Sequence, residues 1–213
     1  MEKYALLLGY GIFDEKNEEY KKYVDEFARF VAENSIKKVI LCGGKTSVKF
    51  PTVSEAESIA KYLNPKISGS SVMLVDESFT AYQNIKFAKR FINDISDSQI
   101  TVFCDSIRYF KVMWFIMHEW FKMSRDQILK HLLDKVNEHY KKNIYDETTS
   151  MGAIIMKEVK AYKGVIINTV PIHLSVDAAV AQQAGSLLDI EALYDKSLDN
   201  KLLKLTVAKS GFK

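Results

Sequence analysis

Arg108 and Lys111 stand one helical turn apart, just after the apolar run Ile100–Cys104. At that spacing two cations share a helix face. At a helix start they oppose the dipole, and with the free N–H groups beside them they suit a phosphate or carboxylate. Salt bridging to Asp76, Glu77 or Asp105 is the structural alternative. A second anion-seeking cluster is Gly43-Gly44-Lys45-Thr46-Ser47, one cation and two hydroxyls behind paired glycines that let the backbone approach a ligand. Gly9 and Gly11 close the run Tyr4–Leu8 in the same manner. Glu55, Asp76 and Glu77 are the candidate acid/base carboxylates. The spacing Thr52-Val53-Ser54-Glu55 also fits a capping box, and acids near helix starts are ordinary dipole partners. Thr80 opens another such spacing with Gln83, and Asn84 follows where a helix interior disfavours it.

Several better-known chemistries are excluded. Gly9-Tyr10-Gly11 begins like a dinucleotide fingerprint, but Asp14 holds the third glycine position and the second strand ends in glycines rather than an acid. Gly44-Lys45-Thr46 resembles the end of a nucleoside-triphosphatase loop, yet Val39 stands where its first glycine belongs and Pro51 precedes the next helix. His118, His131, His139 and His173 form no metal spacing.

The elements that must position these residues alternate. Tyr4–Leu8, Val39–Cys42, Val72–Val75 and Ile100–Cys104 are short apolar runs, each followed by apolar residues at helical spacing. Gly164–Val170, stopped by Pro171, predicts a fifth strand. Four strand–helix units in series predict a three-layer α/β/α, Rossmann-like fold with a mainly parallel sheet. The chain reads as one α/β domain over 1–213. Residues 1–118 form its core and 119–213 a helix-rich cover that includes the fifth strand. The helix expected from Ile107 to Phe121 is apolar nearly all round, which predicts burial under residues 119–160 or in a subunit interface of a homo-oligomer. Further helices are expected at 124–136, 151–159, 176–184 and 187–194, with 201–213 ambiguous.

A net charge of +3 over 213 residues, without a long Lys/Arg run, excludes a nucleic-acid-binding composition. Cys42 and Cys104 lie in strand-like runs and are expected to be buried free thiols in a reducing compartment. Tyr4–Leu8 is too short for a signal-peptide core, and Val112–Met117, the longest apolar stretch, is too short for a bilayer span. A cytoplasmic protein is the expectation.

Five segments in order resemble a bacterial domain-of-unknown-function family typified by SanA, ElyC and YdcF: Leu8-Gly9-Tyr10-Gly11, Cys42-Gly43-Gly44, Ser54-Glu55-Ala56, Thr80-Ala81-Tyr82-Gln83-Asn84, and Cys104-Asp105-Ser106-Ile107-Arg108-Tyr109-Phe110-Lys111. The resemblance covers roughly residues 4–118. It implies a Rossmann-like fold, envelope-related roles in membrane-anchored members, and S-adenosylmethionine as the ligand of a soluble one. The departures carry chemistry. Gln83 stands at the family's Glu position, Arg108 at its His and Lys111 at its Arg, so a general base is lost while cationic character is kept.

The expected pocket therefore gathers Gly9, Gly11, Gly43, Gly44, Lys45, Thr80, Asn84, Arg108 and Lys111 around a small anionic, phosphorylated or nucleotide-like molecule. Three classes of function fit: a hydrolase or transferase using Glu55, Asp76 or Glu77, a non-catalytic nucleotide or S-adenosylmethionine binder, and an interaction protein docking through Trp114–Phe121.

Overall fold

Strand β1 (Glu2–Leu8) is buried on both faces from Tyr4 onward. Tyr4, Leu6 and Leu8 enter one apolar core, while Ala5 and Leu7 enter another. A strand of this kind needs a layer of helices on each side. The computed structural model, which describes residues 1–142, 150–158, 161–171 and 176–209, supplies both. Strands β2 (Lys38–Cys42), β3 (Ser71–Val75), β4 (Ser98–Asp105), β5 (Ala161–Tyr162) and β6 (Val165–Val170) join β1 in one sheet of order β3-β2-β1-β4-β6-β5. Every pairing is parallel except the β5–β6 hairpin.

Helices α1 (Glu18–Glu33) and α2 (Glu55–Leu63) cover the face carrying Ala5, Leu7, Val39 and Leu41. The opposite face is covered by α3 (Ala81–Ala88), α4 (Tyr109–Glu119) and α5 (Arg125–Lys142), with α6 (Met151–Glu158) and α7 (Val176–Glu191) joining the same core through Ile155 and Ile190. Helix α8 (Lys196–Lys209) follows α7. The three-layer α/β/α prediction agrees with this architecture.

From β1 the chain steps to β2 and β3 on one side, then crosses back to place β4 on the other. The gap between β1 and β4 is thus the topological switch point, where open α/β sheets leave a crevice beyond their carboxyl ends. Tyr23 of α1 braces it, with its hydroxyl 2.9 Å from the carbonyls of both Leu8 and Phe103.

Local departures from the sequence reading have identifiable causes. The helix predicted over 107–121 begins at Tyr109, because Asp105 Oδ1 accepts the N–H groups of Ile107 and Arg108 and holds them in a turn. The two helices expected at 176–184 and 187–194 are one helix, α7, which runs through Gly185. Of the ambiguous tail, residues 201–209 are helical as the end of α8, and 210–213 lie outside the described residues, as do Val159 of the helix predicted at 151–159 and His173. Gly164, taken as the start of the fifth strand, has φ +84° and with Lys163 (φ +45°) forms the two-residue turn joining β5 to β6.

Helix α4 is buried as predicted, but its cover comes from α3 and α7 as well as α5. Trp114 Nε1 donates to the Tyr194 hydroxyl at 3.0 Å and Trp120 Nε1 to the Ile85 carbonyl at 2.9 Å. With Trp114 4% and Trp120 5% exposed, both indoles pack inside the fold rather than forming an open face. Cys42 and Cys104 are buried free thiols, and burial pushes both thiols up, Cys104 to about 12. No described helix is long and apolar enough to cross a membrane.

Candidate functional site

A cavity of about 340 Å³ opens at the carboxyl ends of β1 to β4. Its floor is a set of laced loops. Gly9 N–H donates to the Cys42 carbonyl at 2.6 Å and Gly43 N–H to the Val75 carbonyl at 2.9 Å. Tyr10 N–H donates to the Tyr20 hydroxyl at 2.8 Å, and that hydroxyl donates to the Gly11 carbonyl at 3.0 Å. Around this floor α2, α3 and α4 all begin, so three positive dipole ends converge on one space.

Glu55 enters the cavity because it is released from capping. The N-cap of α2 is Ser54, whose hydroxyl accepts Glu57 N–H at 3.0 Å while Glu57 returns a bond to Ser54 N–H at 2.8 Å. The box is therefore Ser54–Glu57, one residue pair away from the Thr52–Glu55 spacing predicted. Glu55 instead turns back between the ends of β1 and β2, where Thr46 Oγ1 donates to its Oε1. Burial raises its pKa above the ordinary carboxylate value; the Thr46 hydroxyl, the Gly11 backbone and the charge of Arg108 pull the other way. The space it fills is made by glycine: a Cβ on Gly43 would lie 2.5 Å from Glu55 Cβ. Sequence reasoning had assigned these glycines to close approach by a ligand, whereas Gly43 makes room for a side chain of the protein itself.

Arg108 forms the opposite wall. Its Nε donates to Asp105 Oδ2 and its Nη1 to the Gly9 carbonyl at 2.9 Å, so the guanidinium bridges β4 to β1 across the switch point. Burial works against its charge, yet the adjacent Asp105 keeps it protonated above the usual arginine value. The ring of Tyr10 lies 5.3 Å beneath it. Nη2 is buried and has no hydrogen-bond partner among the described residues. An unfilled buried donor on a charged group costs about 1–3 kcal/mol or more.

The third wall is the β3–α3 loop. Ser78 Oγ donates to Asn84 Oδ1, fixing a buried Asn inside α3, and Thr80 caps that helix by accepting Gln83 N–H at 3.1 Å. Gly44 is required here, since a Cβ would stand 1.9 Å from the Ser78 carbonyl oxygen. Gln182, from α7, closes the rim.

Of the residues singled out in the sequence, Gly9, Gly11, Gly44, Glu55, Thr80, Asn84 and Arg108 line this cavity. Five do not. Lys111 turns away and donates to Asp189 of α7 at 2.7 Å, while Asp105 and the Gly9 carbonyl hold Arg108 at the crevice. Glu77 is an exposed partner of Arg90, with Arg90 Nη2 donating at 3.0 Å. Asp76, Lys45 and Gly43 are also absent from the lining. Thr46, read in the sequence as a hydroxyl of the Gly43–Ser47 cluster, also lines it, and Tyr10, Ser78 and Gln182 join it without having been picked as site residues. Ser78 was detectable as a hydroxyl past a strand end, while nothing local identified Gln182. Among the described residues, no group of three or more His, Cys, Asp or Glu could hold a metal ion. Comparison of the chain with protein-family models, curated proteins and solved structures gives no match.

Proposed function

We propose that this cavity binds a small anionic molecule, phosphorylated or nucleotide-like, with Arg108 as its principal donor. The observation that carries the reading is Arg108 itself: a buried guanidinium lining the cavity with one nitrogen left unfilled. A phosphate or carboxylate oxygen would satisfy it, and the N-termini of α3 and α4 would add to the attraction. Asp105 already balances the positive charge, so Arg108 serves as a directed donor more than as a free cation. Lys111, held by Asp189, is no longer part of the clamp.

Glu55 gives the same cavity a protonatable group, which supports a hydrolase or transferase role in which it takes a proton from water or a substrate hydroxyl. Asp76 and Glu77 drop out as catalytic candidates. Binding without turnover is the second reading. It draws on the likeness to the SanA, ElyC and YdcF family and on Glu55, a carboxylate that would complement the sulfonium of S-adenosylmethionine. The experiment is a thermal-shift screen with inorganic phosphate, nucleotides, sugar phosphates and S-adenosylmethionine, followed by calorimetry on wild type and Arg108→Ala. Stabilisation by phosphate compounds that disappears in Arg108→Ala supports the first reading. Stabilisation by S-adenosylmethionine that disappears in Glu55→Gln supports the second.

A further inference from the structure

A second cavity, of about 310 Å³, lies on the other side of the Ser106–Phe110 segment. Its walls are Ile107 from the turn before α4, Tyr109 and Phe110 from its start, Gly152 and Ile155 from α6, and Leu187 from α7. Its surface is mainly apolar where that of the first is mainly polar. The two cavities share their partition. Arg108 lines one and its chain neighbours Ile107 and Tyr109 line the other, while Gln182 and Gln183 of α7 divide between them in the same way.

We propose that the two cavities hold one ligand: a phosphate ester whose ester group is apolar and ring-sized, with its phosphate on Arg108 and its ring between Phe110 and Leu187. This rests on the anion reading of the first cavity and adds the substrate class. Small-molecule sites combine mostly apolar and aromatic walls with a few placed polar groups. Here the apolar walls lie on one side of Arg108 and the polar groups on the other, so only a ligand crossing that residue uses both. The second cavity is built by α6 and α7, so the helical cover takes on a role in ligand choice beyond shielding α4.

The test titrates inorganic phosphate and 1-naphthyl phosphate by calorimetry into the full chain as wild type, Gly152→Leu and Arg108→Ala. Gly152 is the place for a plug, since a Cβ there meets no atom within 4 Å. Leu187→Glu is the alternate variant, at a side chain 60% exposed, should Gly152→Leu not fold. The expected result is that naphthyl phosphate binds wild type about tenfold or more tighter than phosphate. The plug should erase that advantage without weakening phosphate, and Arg108→Ala should weaken both probes. Equal affinities in wild type, or an advantage that survives both cavity variants, overturn the two-cavity ligand while the anion site stands. Failure of both probes to bind, or naphthyl binding indifferent to Arg108→Ala, overturns the anion site and the bridge together.

Discussion

The Glu55 carboxylate occupies the space a side chain on residue 9 would need: a Cβ built on Gly9 would lie 2.6 Å from Glu55 Oε2. It would also lie 2.8 Å from the Cys42 carbonyl oxygen, which belongs to the backbone and cannot swing aside. Gly9→Ala should therefore destabilise the fold by about 2–3 kcal/mol, in the range of an overpacked core. Removing the carboxylate in a Gly9→Ala/Glu55→Ala double variant should restore only part of the loss. Full restoration in a urea melt would mean that the Cys42 contact is tolerated and that Glu55 alone demands the glycine.

The protonation of Glu55 couples to stability. Its folded pKa is raised by burial above the ordinary 4.5, so its favourable contribution is complete below that value and is lost as pH rises through the folded pKa. The wild type should lose stability across that interval, and Glu55→Gln, which has no proton to lose, should not. Melting temperatures from pH 4 to 8 should show the variant gaining on the wild type as pH rises. A constant difference would show that Glu55 titrates alike in folded and unfolded chains.

Arg108 and Lys111 should behave differently although the sequence pairs them. Charge-assisted hydrogen bonds contribute roughly 1.5–3 kcal/mol each, so Arg108→Ala should weaken phosphate binding by about one to two powers of ten. It should also lower the melting temperature, because Asp105 is left buried without its counter-ion. Arg108→Lys should recover only part of the affinity, the two-pronged fork being absent. Lys111→Met should leave affinity unchanged and cost about 1–2 kcal/mol, as Asp189 is open enough to regain water. A loss of affinity in Lys111→Met would return it to the site.

Burial of Trp114 and Trp120 is open to a direct optical check. The folded protein should emit at shorter wavelength than the urea-unfolded chain and resist acrylamide quenching. Ready quenching in the native state would mean that the cover over α4 opens in solution and would favour the docking-face reading.

The strands and their parallel pairing were legible because each is a short apolar run with a helical period behind it, whereas the sheet order that sets β4 beside β1 has no signal in that periodicity. The cavity was half legible. Glycines past strand ends point to a crevice, and Arg108 at a helix start is unusual enough to stand out. Two errors arose from rules of spacing applied without tertiary context. Thr52–Glu55 and Ser54–Glu57 both match a capping box, and only the observed end of α2 decides between them. Arg108 and Lys111 satisfy the one-turn rule, but Asp105 holds the Arg108 side chain at the switch point while Asp189 of α7 draws Lys111 away from it. Gln182 lies 74 residues beyond Arg108, and no local pattern in α7 distinguishes it from Gln183.

Tyr23 gives the molecule one more property. Its hydroxyl touches the last carbonyl of β1 and the Phe103 carbonyl of β4, and it does so from the layer of α1, behind the crevice those strands open into. The aperture between the strand ends is thus gauged from the rear. A change at position 23 would retune the grip of Gly9 and Arg108 on whatever enters without altering one atom that the visitor meets. On the anion-site reading, the width of that opening is set by a side chain that does not line it.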